Sequence, residues 1–133
     1  MKEISLKKKT NILKCVLSEA RKRHPAFFTS FYSSPVAKAL LDPETNKYIE
    51  VNDNFLKLFE CRRSNVLNRT PRDLGFVIEN SETKNILRIY GKNRFRTFTF
   101  NVRSFKGNVK NVIISTEKVK LLESDLLLGH IID

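Results

Sequence analysis

The sequence predicts an α+β fold: a five-stranded antiparallel sheet with short helices on one face, preceded by an N-terminal amphipathic helix. Three observations carry that prediction. The run Val36 to Asn54, VAKALLDPETNKYIEVNDN, reads as a strand, a tight turn, a second strand and the start of a helix. From Phe95 to Ile132, three β-patterned runs follow one another with short polar breaks. Residues 4 to 23 place apolar side chains at helical spacing.

The helical stripe is Ile12, Leu13, Val16, Leu17 and Ala20, flanked by Lys14, Glu19, Arg21, Lys22 and Arg23. Pro25 ends it, because the residue before a proline avoids the α region. The chain thus divides into an amphipathic helix, residues 1–24, and a domain, residues 25–133. Such a stripe is buried either on its own domain or against its twin. The second case makes Leu13, Val16, Leu17 and Ala20 a homodimer interface. Ala26 to Ser34 is aromatic and small, with Phe27, Phe28 and Phe31 as core plugs.

In the hairpin, Ala39, Leu40 and Leu41 form a strand that stops at Asp42-Pro43, since Pro43 lacks an N–H and fixes φ. Tyr48, Ile49 and Val51 resume the β pattern after Thr45-Asn46-Lys47. Asn52 is placed to cap a helix, and Asp53 puts negative charge at its positive end. Phe55, Leu56, Leu58 and Phe59 supply the helix's buried face. Cys61 to Gly75 is polar, anchored by Val66 and Leu67. Glu79 to Tyr90 reads as a helix with Ile86, Leu87, Ile89 and Tyr90 on its apolar face and Gly91 as its stop. Phe95 to Arg103 alternates Phe98, Phe100 and Val102 against Thr97, Thr99 and Asn101, as a half-buried strand does. Lys106-Gly107-Asn108 makes a turn, Val109 to Leu122 a long strand, Ser124-Asp125 a second turn, and Leu126 to Ile132 the last strand.

At 133 residues the chain has the length of one domain. No apolar run approaches the roughly 18 residues that span a membrane. The charged N-terminus is not followed by the apolar segment of a secretory signal. Two cysteines, Cys15 and Cys61, point to a reducing, cytoplasmic setting rather than a disulfide framework. The net charge is +11, and residues 1–24 hold eight Lys/Arg against two Glu. Lys7-Lys8-Lys9 and Arg21-Lys22-Arg23 raise an alternative reading: a transcription-regulator fragment whose basic helix contacts DNA. No base-reading module follows, and a solvated helix face accounts for the same charges, so nucleic acid is not the expected partner.

No catalytic constellation is present. His24 and His130 have no metal-ligand partner at useful spacing, the four glycines are isolated, and there is no nucleophile elbow. The expectation is a chain that is not an enzyme and holds no metal.

The run SSPVAKALLDPETNKYIEVNDNFLKLFECRRSNVLNRTPRDLG resembles the first half of a PAS domain. That family shows an "SP" entry, a hairpin over a polar turn, "VN" before an aromatic, and a later "vlgrt…dlg" segment. FNVRSFKGNVKNVIIS is similar to the family's turn between long strands, and LLLGHIID to its final strand, ending at the Asp of a frequent "DIT" terminus. The resemblance covers about residues 31 to 133. It implies a sensory and dimerisation module of a larger signal-transduction protein, such as a sensor histidine kinase or a cyclic-dinucleotide enzyme. The output domain would lie C-terminal to the chain, with Asp133 as the signal exit.

In that fold the sheet and the long helix enclose an apolar volume. Ile86, Tyr90, Phe98, Phe100, Val112, Ile114 and Leu128 are its candidate lining. Either these large side chains fill the space, or they leave room for an unidentified small molecule. Flavin-binding members carry a reactive cysteine where this chain has Pro71, and haem-binding members place a histidine on or beside the helix that runs here from Glu82 to Tyr90, which has none. The resemblance therefore implies neither covalent flavin nor histidine-ligated haem, and a colourless protein.

Overall fold

The computed structural model describes residues 17–78 and 97–133. The expected helix over Glu79 to Tyr90 lies outside them. Residues 17–23 are helical and lead through His24 into α1 (Pro25–Ser33), which has proline in its first turn. The hairpin β1 (Ala37–Leu41) and β2 (Tyr48–Val51) follows, then α2 (Asp53–Phe59) and α3 (Arg63–Val66). β3 (Thr97–Arg103), β4 (Val109–Leu121) and β5 (Ser124–Ile132) complete one sheet in the order β2-β1-β5-β4-β3, every pair antiparallel. The class is the one expected.

Strand alternation sorts the core into two clusters, one on each face of the sheet. On one face Ala37, Ala39 and Leu41 of β1 and Leu127 and Ile131 of β5 meet Phe55 and Phe59 of α2, Val66 of α3 and Phe76. On the other, Leu40, Leu121, Leu126 and Leu128 meet Leu17, Ala20, Phe28 and Phe31. Helices therefore lie on both sides, which corrects the expected placement on one face: α2 and α3 cover the first, and residues 17–23 and α1 the second, because Leu40 and Leu128 point apolar side chains that way. Leu17 is 6% and Ala20 0% exposed within a single chain. Those two stripe residues are thus covered by their own domain, which corrects their expected place in a dimer interface. Leu13 and Val16 lie outside the described residues.

Asn52 joins these parts. Its side-chain oxygen accepts from Phe55 N, capping α2, and from Lys38 N, both at 3.0 Å. Its amide nitrogen donates to Phe31 O at 3.0 Å and Val36 O at 2.9 Å. All four capacities of the amide are used at a fully buried position.

One turn falls elsewhere than expected. The β4–β5 turn is Leu122-Glu123, with φ of 48° and 66°, not Ser124-Asp125. Left-handed backbone costs about 1 kcal/mol or more per non-glycine residue. The long ladder offsets this: it sets Ile131 opposite Ile114, and a two-residue turn at Ser124-Asp125 would slide Ile131 to a place opposite Lys118.

Both sheet edges are covered, which blunts edge-to-edge pairing. On β2, Tyr48 N donates to Arg69 O and Asn68 N donates to Tyr48 O, each at 2.9 Å. On β3, Val102 is bridged to Val77, and Arg103 N donates to Phe76 O at 3.0 Å. The β3–β4 loop is tied to the end of α2. Glu60, left-handed at φ 55°, accepts from Asn108 Nδ2 at 2.6 Å and Ser104 Oγ at 2.8 Å. Those two bonds, with Lys110 and Lys106 nearby, hold its carboxyl below its ordinary 4.5. The stability it contributes is present above 4.5 and lost as pH falls through the lowered value. Urea unfolding of wild type and Glu60→Gln should differ most near neutral pH and converge as pH falls through that lowered value. A difference that does not change with pH would show that the charge adds nothing.

Candidate functional site

A cavity of about 470 Å³ opens on the face that carries α2 and α3. Its floor is strand backbone and small side chains: Ala39 of β1, Gly129 of β5 and Thr116 of β4, with Ile114 and Ile131 beside them. Gly129 is central to this floor. It sits mid-strand, where glycine weakens a ladder and marks close approach. A Cβ built there would meet only Ala39 O, at 3.9 Å, so the space above it is open.

The walls are aromatic. Phe59 stacks on Phe76 with centroids 4.3 Å apart, Phe55 lies 4.5 Å from Phe59, and Tyr48 meets Phe55 edge-on at 5.2 Å. Phe98 and Val102 close the β3 side. Polar groups gather at the β1–β2 turn and the segment after α3: Glu44, Thr45, Asn46, Thr70 and Arg72 all line the cavity. The turn is held by buried Asp42, which accepts from Glu44 N at 3.0 Å and from Thr45 Oγ1 at 2.9 Å. Asn46 takes φ 62°, a conformation asparagine tolerates.

Of the residues expected to line a pocket, Phe98 and Ile114 do so. Val112 is on the same face but packed within the core, 1% exposed. Leu128 is corrected: it faces the opposite cluster, and its neighbours Leu127 and Gly129 face the cavity side. Parity along a strand tells which residues share a face, but not which face that is. Ile86, Tyr90 and the side chain of Phe100 lie outside the described residues. Asp133 is exposed after β5. Gly129, Thr116, Tyr48 and Arg72 were missed; a glycine inside an otherwise apolar strand was the available signal for the first.

Pro71 lines the cavity, so the position without a thiol is at the site. Cys61 is half-buried against the same cluster, and burial pushes its thiol up to about 11, away from the reactive thiolate. His24 is exposed, and His130 bonds Glu117 at 3.0 Å. Among the described residues no three His, Cys, Asp or Glu side chains form a metal-binding group, and no helix is long and apolar enough to cross a membrane.

No family model matches the chain, and no curated protein does. Solved structures do. The PAS domain of an HTR-like protein from Haloarcula marismortui is 19% identical, with a TM-score of 0.63 over 89% of this chain and 97% of that one. A PAS domain from a two-component sensor histidine kinase is 18% identical, TM-score 0.64, over 86% and 96%. The Rhodobacter sphaeroides LOV protein is 18% identical, TM-score 0.63, over 89% of this chain and 66% of that one. With its sheet order, its flanking helices and these matches, the chain has the fold of a PAS domain.

Proposed function

We propose that this chain is the non-catalytic sensory module of a larger signal-transduction protein, such as a sensor histidine kinase, and that it reports a small molecule held in the cavity. The observation that carries this reading is the open, glycine-floored cavity ringed by aromatic side chains. Its volume lies within the range of about 300–1,000 Å³ typical of small-molecule sites. A mostly apolar lining with a few polar groups at one side suits a planar or branched apolar ligand with one polar end. β5 forms part of the cavity floor and ends next to Asp133, so a ligand that favours one arrangement of the sheet would bias whatever follows. The reading includes a homodimer. On the face opposite the cavity Val109, Ile113 and Ile132 are 57%, 41% and 48% exposed, a patch that a second copy would cover. It also includes neither covalent flavin, because Pro71 occupies the cavity wall where a thiol would be needed, nor histidine-ligated haem, because the stretch Glu82 to Tyr90 holds no histidine.

Gly129→Leu tests the cavity. The new side chain projects into open space and fills it, while the strand gains a residue better suited to a sheet. Indole serves as probe, followed by amide NMR shifts of Ala39, Thr116 and residue 129. Wild type should shift saturably and Gly129→Leu should not, with both giving the same circular dichroism. No saturable shift in wild type, or equal shifts in both, would sink the cavity reading. The same purified sample should show no visible absorption band.

A further inference from the structure

Glu50 is a buried carboxylate that the cavity does not use. It sits on edge strand β2 and is 4% exposed. One carboxylate oxygen accepts from Tyr32 Oη of α1 at 2.7 Å. The other accepts from Arg63 Nε of α3 at 3.0 Å and from Val51 N at 2.9 Å. Arg63 also donates to Val51 O at 2.9 Å and lies 3.6 Å from Asp53. The two side-chain donors come from opposite faces of the sheet. Tyr32 packs with Phe28 and Phe31, whose cluster holds Leu17 and Ala20. Arg63 opens α3, whose Val66 packs in the cavity-side cluster.

From this geometry we infer that Tyr32, Glu50 and Arg63 form a clamp around the β2 edge, which couples the helical layer on the cavity side to the N-terminal layer on the other side. A buried carboxylate is tolerated only while it is paired and hydrogen-bonded. Its two side-chain partners are therefore not independent. Removing Arg63 leaves the charge with a neutral phenol and a backbone N–H, and removing the phenol leaves it with Arg63 and the same N–H. The Tyr32 hydroxyl is itself pushed upward by burial first and then by its bond to Glu50, so it stays a donor. The clamp also reaches the cavity through the chain. After α3, Asn68 and Arg69 are bonded to Tyr48 of β2, and Thr70, Pro71 and Arg72 line the cavity. This inference does not depend on any ligand being bound.

The test is amide hydrogen exchange on the full chain, in wild type, Arg63→Gln, Tyr32→Phe and the double variant. Arg63 and α1 meet at the shared Glu50 carboxylate rather than through a hydrogen bond of their own, and Arg63→Gln should speed exchange within α1 by about tenfold, with the β4–β5 ladder unchanged. Tyr32→Phe, which removes one hydroxyl and keeps the ring, should speed exchange at Asn65 and Leu67 of the α3 turn. In the double variant the accelerations should fall short of the product of the single ones. If Arg63→Gln does not fold, Arg63→Lys keeps the charge, loses the fork and should show the same pattern more weakly. Acceleration confined to the mutated face in each single variant, or increments that multiply independently, would overturn the clamp.

Discussion

Asn52→Asp is expected to destabilise the protein by about 3–5 kcal/mol, although it changes one NH₂ into an oxygen. The amide nitrogen donates to Phe31 O and Val36 O at 3.0 and 2.9 Å in a site closed to water. A carboxylate would face two carbonyl oxygens with no proton to offer either, and would carry a buried charge. The loss is concentrated where the entry to β1 meets the start of α2, so both the hairpin and the cap weaken together. Urea unfolding measures it. The deficit should shrink at low pH, where the carboxyl is protonated and can donate to one carbonyl. A variant within about 1 kcal/mol of wild type at neutral pH would mean that Asn52 acts only as a helix cap, a role that aspartate fills as well as asparagine.

Leu17→Glu should cost about 3–5 kcal/mol as well, and the loss should not depend on protein concentration. Leu17 is packed with Ala20, Phe28, Phe31, Leu40, Leu121, Leu126 and Leu128 of its own chain. A carboxylate there has no partner in a cluster built of Leu, Ala and Phe. Unfolding curves at two protein concentrations separate this from a dimer effect. Stability retained, with only a shift of sedimentation toward monomer, would place residue 17 between chains instead. Ile113→Glu is the complementary change: Ile113 is 41% exposed, so it should alter association and leave folding nearly intact.

Much of the chain was legible because its signals are local. The Asp42-Pro43 stop, the Asn52 cap and the alternation of Phe98 and Val102 against Thr97, Thr99 and Asn101 act within a few residues of themselves. Neighbouring φ/ψ preferences and short hydrogen bonds decide them. The signal failed where two segments far apart meet. Glu50, between Ile49 and Val51, reads as an outward-facing residue of an edge strand. It is buried because α1 and α3 bring a phenol and a guanidinium to it across 18 and 13 residues of sequence. Leu128 shares its parity with His130, and the packing turns that parity to the other cluster. The Leu122-Glu123 turn goes against its own propensity because the ladder of β4 on β5 outweighs it.

Sequence alone determined the fold class, the hairpin and the capped helix. Those follow from periodicity, capping and turn chemistry. Tertiary structure alone decided that Leu17 and Ala20 are covered by their own sheet, that Gly129 and not Leu128 lines the cavity, and that Glu50 is held from both faces. Each of these depends on which strand lies beside which and on which face a helix returns to. That choice minimises exposed apolar area and unpaired buried charge over the whole chain at once, so it is not written in any single stretch of it.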